Sequence, residues 1–296
     1  MKVLLLNRAE DSHRGGDAIH LRAYQRALKE LGHIADYKPE LNPDANGYDV
    51  AVLWHLNFGW TRYQWNAINR SHTPYYVVAI YYPGIYSDTD HETMQKIVDG
   101  AIRVITLSPK EDEELKKEFP NARTQILSNG VAKSIFNPSG PRFDRLPFIM
   151  SAGRYTSSKG LMVVSHIAKQ LGLPVVIAGM TWDPDYMDAI LKDNPRAELL
   201  LNLNQEELAK YYRSCGLYVC ASLDDRDNLT VLEAAACGVP VIDSVYNRGS
   251  SRGWFVTVDP KDEKALMDNI QDMFGKKDDH SNLVPDWKVI VQQMLN

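Results

Sequence analysis

The chain has 296 residues, which is enough for two domains of ordinary size, each with a core of its own. Hydrophobic residues make up 44% of the sequence and charged residues 24%, and these typical values argue against a disordered or fibrous chain. The formal net charge of −5 provides no overall attraction for nucleic acids, although a local basic groove is compatible with it.

Neither a membrane span nor a signal peptide is predicted. No apolar run reaches the roughly 18 residues of a spanning helix, and the apolar opening segment is too short for a signal peptide and lacks a cleavage site. The three cysteines, Cys215, Cys220 and Cys237, lie in apolar stretches without the spacing of a zinc site. We therefore expect reduced core thiols and a cytoplasmic protein.

The first half alternates apolar runs with helical periodicity, which is typical of a parallel α/β domain. Lys2–Asn7 is predicted as a buried strand and Asp17–Leu31 as an amphipathic helix that ends before Gly32. The predicted apolar face of this helix consists of Ile19, Ala23, Ala27, Leu28 and Leu31. His13 and His20 are expected to be solvent-facing or capping residues.

Three further strands are predicted in this half, and then a linker. The strands are Val50–Trp54, Tyr75–Ile80 and Val104–Leu107, and Ser108 is expected to cap the next helix. The segment 136–146 is rich in Pro, Gly and polar residues, which indicates a connection between domains.

The second half repeats the alternation of strands and helices. The predicted strands are Phe148–Ala152, Val175–Ala178, Glu198–Leu201, Leu217–Cys220 and Val239–Asp243. The predicted helices lie near Leu161–Leu171, Asp185–Leu191, Gln205–Cys215, Thr230–Cys237 and Trp287–Leu295. This pattern predicts parallel sheets that are covered on both faces.

The most informative segment runs from Ser222 to Glu233, directly after a predicted strand. Open α/β sheets bind ligands at this carboxyl edge. Asn228 is a favoured N-cap, and the free amides of Leu229 and Thr230 are expected to begin a helix whose positive dipole end suits a diphosphate. Glu233 lies one turn further on, where its carboxylate is expected to accept both hydroxyls of a ribose.

This segment resembles the retaining glycosyltransferases of glycosyltransferase family 4. That family has two glutamates separated by seven residues, then a helix of small residues and a Gly-x-Pro turn. Asp225, Glu233, Ala234–Ala236 and Gly238–Pro240 stand in those places. Asp225 replaces the first glutamate with a side chain one methylene shorter, and Asn228 replaces the usual glycine; both departures bear on the donor sugar.

Two other motifs carry the same resemblance. Arg154 and Lys159 follow the strand Phe148–Ala152 and resemble the pair that neutralises the donor pyrophosphate in the family. Gly15 and Gly16 lie between the first strand and the first helix, where the family uses a Gly-Gly loop that closes over the donor. The alternative interpretation of Arg154 and Lys159 is a pair of solvated loop charges, and that of Gly15 and Gly16 is an ordinary turn.

His55 and a dense set of aromatic residues mark the predicted acceptor side. His55 follows the strand Val50–Trp54 and is a candidate catalytic residue together with Asp225, although a lone histidine is more often structural. The aromatic set fits either core packing or a platform on which an acceptor stacks. It consists of Trp54, Phe58, Trp60, Tyr63, Trp65, Tyr81, Tyr82 and Tyr86.

The resemblance implies an α/β chain with two Rossmann-like domains facing a cleft, which is the GT-B fold. We expect an N-terminal acceptor-side domain over residues 1–140, a nucleotide-sugar-binding domain over 141–280, and a final helical segment over 281–296 that packs on the first domain. The family implies transfer of a hexose or pentose from a nucleotide-diphosphate sugar to an acceptor hydroxyl, with retention of configuration and without a metal or other cofactor.

Donor and acceptor are less constrained. We expect a monomer that uses a UDP-sugar in preference to a GDP-sugar. The expected acceptor is a glycan or glycolipid or, in a less usual use, a hydroxymethylated base in viral DNA that has been flipped out of the helix. Two other functions remain open: a nucleotide-sugar epimerase on the same fold, and a non-catalytic nucleotide-sugar-binding protein.

Overall fold

The computed structural model describes residues 1–8, 16–85 and 89–296. The chain divides into two compact units: residues 1–129 with 286–296, and residues 130–285. His13, Gly15 and Tyr86 lie outside the described residues.

The first unit is a six-stranded parallel sheet in the order β2-β1-β3-β4-β5-β6. Its strands are β1 (Lys2–Leu6), β2 (Ile34–Lys38), β3 (Val50–Trp54), β4 (Tyr75–Val78), β5 (Val104–Thr106) and β6 (Thr124–Ile126). Its helices are α1 (Gly16–Glu30), α2 (Gly59–Ser71), α3 (His91–Gly100), α4 (Pro109–Glu118) and α10 (Trp287–Leu295). The central strands β3 and β4 are buried at every position, because helices cover both faces of a parallel sheet.

Helix α1 begins one residue earlier than predicted, and its buried face differs from the expected one. Ala23, Ala27 and Leu28 are buried as expected, but Ile19 is 42% exposed and His20 is 2% exposed. The expectation of a solvent-facing or capping His20 is therefore wrong. The His20 ring packs against Trp287 of α10, with centroids 4.9 Å apart, so the final helix covers this face of α1 within the first unit.

The second unit is a six-stranded parallel sheet in the order β12-β11-β10-β7-β8-β9. Its strands are β7 (Ile149–Tyr155), β8 (Val175–Thr181), β9 (Glu198–Leu201), β10 (Leu217–Val219), β11 (Val241–Ser244) and β12 (Val256–Val258). Its helices are α5 (Leu161–Leu171), α6 (Pro184–Asp193), α7 (Gln205–Ser214), α8 (Leu229–Ala236) and α9 (Glu263–Met273). Two Rossmann-like units are thus present, as the sequence predicts.

The division between the units falls earlier in the chain than residue 140. The segment after residue 129 packs on the second unit because Phe136 is buried in its core and Arg213 binds the connecting backbone. The guanidinium donates to the carbonyl oxygens of Ile135 and Pro141, each at 3.0 Å. The Pro-rich, polar segment 136–146, which the sequence indicates as a connection between domains, is therefore fixed to the second unit.

Sequence periodicity finds the central strands and misses peripheral elements. The edge strands β2, β6 and β12 and the helix α9 are not predicted. All three strands are partly exposed and contain polar residues, so they lack the continuous apolar run that identifies the central strands.

Each sheet has one point where successive crossovers change direction. In the first unit this switch point lies between β1 and β3, and in the second it lies between β7 and β10. Crevices at the carboxyl ends of such strand pairs are the usual ligand sites of open α/β sheets. The loops after these four strands are consequently the expected positions of ligand-binding residues.

Candidate functional site

The loops after β7 and β10 contact each other directly at the switch point of the second unit. The Leu223 amide donates to the Ser158 carbonyl at 2.8 Å. Gly160 has a φ of +62°, and a Cβ at this position would lie 2.1 Å from the Ala221 carbonyl oxygen. Glycine is therefore required both for its conformation and for the close approach that places Lys159 beside the second loop.

Lys159, Asp225 and Asn228 form one network in this crevice. The Lys159 ammonium lies 2.5 Å from Asp225 Oδ1, and Asn228 Nδ2 donates to Asp225 Oδ2 at 2.9 Å. The Lys159 and Asp225 side chains are 13% and 17% exposed, so the pair is mostly removed from solvent but still reachable at its edge. The structure thus brings together three of the residues that the sequence singles out.

The start of α8 belongs to the same network. Asn228 is the N-cap, as expected, and its Oδ1 accepts the Thr230 amide at 3.0 Å and the Thr230 hydroxyl at 2.7 Å. The Thr230 hydroxyl is also 2.6 Å from the Tyr218 hydroxyl. The expectation of a free Thr230 amide is therefore wrong, because the capping side chain already occupies that donor.

Glu233 lies one turn further along α8 and is buried. Only 6% of the residue is exposed, and burial raises the pKa of its carboxyl group to about 8, an increase that a hydrogen bond from the Tyr212 hydroxyl opposes. That hydroxyl is 3.4 Å from Glu233 Oε2. A carboxyl group in this environment takes up a proton near neutral pH unless donors arrive to stabilise its charge.

Arg154 lies apart from this network. Its side chain is exposed, and its guanidinium lies over the Trp182 ring, 5.3 Å from the centroid. Residue 154 faces Met180 of β8 in the parallel register, on the side of β7 away from β10. A planar guanidinium stacked on an indole is held by a cation–π contact of modest energy, which leaves it able to move to a phosphate.

A third loop, residues 246–252, supports the Asp225 segment from the side of β11. The Asp225 amide donates to the Tyr246 carbonyl at 3.3 Å, and the Arg248 amide donates to the Asp225 carbonyl at 2.9 Å. The Arg252 guanidinium lies 2.5 Å from Asp227 Oδ1, and both side chains are buried. We call residues 246–252 the supporting loop. Its backbone hydrogen bonds hold the main chain of Asp225 in place.

Asp243, at β11, holds the start of the supporting loop through hydrogen bonds. Its carboxylate accepts from Asn247 Nδ2 at 2.9 Å and from the Ser244 amide at 2.8 Å. Burial, with a smaller contribution from Asp227 and Asp225, raises the pKa of Asp243 to about 7, an increase that the hydrogen bonds from Asn247 and Ser244 oppose. Asp243, Arg248 and Arg252 are not identified from the sequence, although the Asn-Arg-Gly-Ser-Ser-Arg-Gly turn after a predicted strand was an available signal.

The first unit holds a separate cluster at its own switch point, and it contains Gly16 and His55. Gly16 begins α1, and His55 follows β3 with a φ of +65°. His55 Nε2 lies 3.4 Å from Asp17 Oδ2, and the Arg8 guanidinium binds the same carboxylate at 2.8 Å and 2.9 Å. Burial lowers the pKa of His55, which favours its neutral form. Asp17 and Arg8 are not predicted as site residues, although Asp17 directly follows the Gly-Gly pair.

The aromatic set of the first unit divides between core and surface. Trp54 and Tyr81 are fully buried, which fits core packing. Phe58 and Trp60 stack with centroids 4.6 Å apart beside His55, and Tyr63 is 45% exposed. Only part of the set is thus placed near the first unit's switch point.

Three further expectations concern the chain as a whole. All three cysteines are buried and free. Within residues 1–8, 16–85 and 89–296, no helix has the length and apolarity to cross a membrane, and no group of three or more His, Cys, Asp or Glu side chains is arranged to hold a metal ion.

A family model matches most of the second unit. Residues 147–276 match the family model described as Glycosyl transferases group 1. The D-inositol 3-phosphate glycosyltransferase of Paenarthrobacter aurescens (strain TC1) is 29% identical over 174 residues. This match covers 51% of the present chain and 42% of that relative, so less than half of the relative's length is represented.

Solved structures resemble the chain over nearly its full length. The sucrose-phosphate synthase of Thermosynechococcus elongatus has a TM-score of 0.81 at 18% identity, covering 99% of this chain and 97% of that one. The HepE protein of Anabaena, solved in complex with UDP and glucose, has a TM-score of 0.76 at 14% identity, covering 100% and 98%. At these identities the likeness shows the GT-B fold.

Proposed function

We propose that the protein transfers a sugar from a nucleotide-diphosphate sugar to an acceptor hydroxyl, because residues 147–276 match the family model described as Glycosyl transferases group 1. The observation that carries the proposal is the network of Lys159, Asp225 and Asn228 at the carboxyl edge of the β7 and β10 strands. It combines a cation for a diphosphate with polar groups for a sugar at the usual ligand site of such a sheet.

Lys159 and Arg154 are the proposed diphosphate ligands. A leaving nucleoside diphosphate develops negative charge, which fixed cations and helix-end amides stabilise in a partly buried site. Lys159 reaches the phosphate by exchanging its contact with Asp225, and Arg154 by leaving Trp182. The amide of Leu229 at the start of α8 is the proposed backbone donor, in place of the capped amide of Thr230.

Glu233 and Asp225 are the proposed ligands of the two sugar rings. Ribose hydroxyls that donate to Glu233 favour its ionised form and so offset the burial that raises its pKa. Asp225, released by Lys159, accepts hydroxyls of the transferred sugar. Asn228 holds the second oxygen of that carboxylate in both situations.

The proposed reaction needs no nucleophile from the protein. The bond between the sugar's anomeric carbon and the phosphate oxygen breaks, and its electron pair remains on the phosphate. The acceptor oxygen bonds to the same face of that carbon, and its proton passes to the leaving phosphate. Configuration is retained. The positive charges of Lys159 and Arg154 stabilise the leaving diphosphate, as a metal ion does in other enzymes.

The acceptor is proposed to be a glycan or glycolipid hydroxyl, with His55 as a candidate catalytic residue, whereas Gly16 is proposed to contact the donor. A hydroxymethylated base in DNA is the second candidate, because stacked aromatic residues lie beside His55. The name of the Paenarthrobacter aurescens relative adds an inositol phosphate to the acceptors worth testing.

A donor panel with UDP-, GDP- and ADP-sugars, read by release of the nucleoside diphosphate, tests the proposal. We expect slow release from one donor and faster release once the right acceptor is added. Interconversion of the donor sugar without an acceptor would instead identify an epimerase. Tight donor binding without release under any acceptor would identify a binding protein.

A further inference from the structure

We infer that Asp17 is a positioning residue for His55: it fixes the imidazole as the tautomer that carries hydrogen on Nε2 and leaves Nδ1 to accept a hydrogen bond from a substrate hydroxyl. The inference rests on the proposed function for its substrate, but the tautomer is a property of the protein alone. It adds Asp17 and Arg8 to the candidate machinery and specifies what chemical group His55 recognises.

Arg8 makes Asp17 a fixed acceptor. Its Nε lies 2.8 Å from Asp17 Oδ2 and its Nη2 donates to Asp17 Oδ1 at 2.9 Å, so the guanidinium binds both carboxylate oxygens. Such bidentate pairs fix orientation as well as charge. Hydrogen bonds from His55 and Arg8 outweigh burial and hold the pKa of Asp17 well below its usual range, so it is a carboxylate at all working pH values.

An ionised carboxylate has lone pairs and no hydrogen to offer, so it selects the donor form of its neighbour. His55 Nε2 is the atom that faces it, at 3.4 Å. Burial and the nearby Arg8 charge lower the pKa of His55 more than the hydrogen bond and charge of Asp17 raise it, so at pH 7 and above the ring is neutral, with its single hydrogen on Nε2. Nδ1 is then a bare acceptor.

Nδ1 of His55 is buried and has no hydrogen-bond partner in the part of the chain that the structure describes. A buried polar atom without a partner destabilises the folded state, and such atoms in native proteins call for an explanation. The backbone of His55 is also in the left-handed region, at a φ of +65°, although it is not glycine. Strain of this kind concentrates at functional sites.

The location of this ring supports a ligand as the explanation. His55 follows β3, Arg8 follows β1, and these strands flank the switch point of the first unit's sheet. A neutral nitrogen acceptor binds a group that donates hydrogen, which in a sugar or polyol is a hydroxyl. It disfavours carboxylates, phosphates and carbonyls, which have none to donate.

The direct test is the ¹⁵N spectrum of the full chain with labelled histidine. We expect His55 to give the chemical shifts of a neutral ring with hydrogen on Nε2, unchanged between about pH 7 and 8. A ring that carries hydrogen on Nδ1, or an imidazolium in this range, would overturn the inference whether or not the protein transfers sugar.

Substitution tests whether the fixed tautomer serves turnover. Asp17→Ala should let the His55 signals move toward those of an exchanging tautomer mixture and lower kcat by about 10- to 100-fold, the usual effect of losing a partner that orients a histidine. The affinity for UDP should stay within about twofold. Asp36→Ala, in the neighbouring strand β2, is the matched control and should alter neither the spectrum nor kcat.

A merely structural role for Asp17 predicts a different pattern. The unfolding midpoint would fall while the His55 tautomer and the turnover of the folded fraction stayed as in the wild type, and that result would contradict the positioning role. Failure of the wild type to release diphosphate from any donor would count against the proposed function, and the spectrum would still decide the tautomer.

Discussion

Lys159 and Asp225 come from loops that follow different strands, and their charged atoms meet at 2.5 Å in the switch-point crevice of the second unit. The carboxylate therefore occupies the ammonium that is the proposed diphosphate ligand, while Asn228 keeps the other carboxylate oxygen in place. In the proposed function, one lysine couples diphosphate binding to the release of Asp225 toward the sugar. This coupling predicts opposite effects on binding and on transfer.

Asp225→Asn should tighten UDP binding several-fold and lower sugar transfer by at least about tenfold. The amide no longer competes for Lys159 as a charge, so the ammonium is freer to bind phosphate, whereas the sugar loses a charged acceptor. Calorimetric titration with UDP and a steady-state transfer assay measure the two effects. Asp272→Asn, an exposed position in α9, is the control; weaker UDP binding by Asp225→Asn would rule out the competition.

Glu233 makes stability depend on pH. Its ordinary pKa is 4.5 and its pKa in the folded protein is about 8, so between these values the folded state holds a proton that the unfolded state has lost. The free energy of unfolding should therefore fall as pH rises through this window, by at most about 5 kcal/mol from this group.

Glu233→Gln should remove much of that fall. Asp243, whose pKa is raised to about 7, contributes a change of the same sign and remains in the variant, so the difference between the two proteins isolates Glu233. Denaturant titrations at pH 5, 6, 7 and 8 measure it. Parallel curves for wild type and variant would show that Glu233 ionises normally.

The close approach at Gly160 predicts an unusually damaging alanine. Gly160→Ala adds a Cβ 2.1 Å from the Ala221 carbonyl oxygen, in addition to the strain of a φ of +62°. Gly172→Ala, with a φ of +67° and open space around it, is the matched control. It should lose about 1 kcal/mol from conformation alone.

The excess loss in Gly160→Ala measures the contact between the loops after β7 and β10. We expect at least about 2 kcal/mol more than for Gly172→Ala, or a displaced Lys159 that no longer supports UDP binding. Equal losses in chemical denaturation would mean that the two loops separate at little cost.

Two ion pairs of equal length in the supporting loop should differ sharply in energy. Arg252 and Arg248 each lie 2.5 Å from an aspartate, but Asp227 is fully buried whereas Asp224 is 53% exposed. Arg252→Met removes this cation from the buried Asp227 carboxylate and should cost about 3–5 kcal/mol. Arg248→Met should cost at most about 1 kcal/mol, because solvent screens an exposed pair.

Thermal and denaturant unfolding of the two variants measure this difference. Arg252→Lys should recover part of the stability and of the transfer rate, since a charge returns without the second donor of the guanidinium. If the Arg252→Met variant is as stable as the Arg248→Met variant, the supporting loop does not hold the Asp225 segment.

The sequence predicts the central strands and the Asn228 cap because these depend on local apolar runs and on a side chain next to a helix start. It does not predict β2, β6 or β12, since these strands are partly exposed and contain polar residues that interrupt an apolar run. The pairing of Asp17 with His55 and the anchoring of residues 246–252 depend on strand order. Strand order is a tertiary property that periodicity does not contain.

The prediction of a free Thr230 amide was wrong for a local reason. A favoured N-cap residue and a free amide two residues later are incompatible when the cap closes on that amide, as Asn228 does at 3.0 Å. His20 was misplaced because its polarity suggested solvent, whereas helix α10 from the end of the chain covers it. Only the second case depends on a contact between distant segments.

Calorimetric binding of UDP to the wild type and to four variants tests the central claim most directly. Lys159→Gln and Glu233→Gln should each weaken binding by about tenfold or more, because each loses a charged partner of the nucleotide. Lys169→Gln and Glu263→Gln, surface changes in the same unit, should bind UDP as the wild type does. If all four variants bind UDP equally well, the nucleotide does not bind at the Lys159 and Glu233 edge and the account is contradicted.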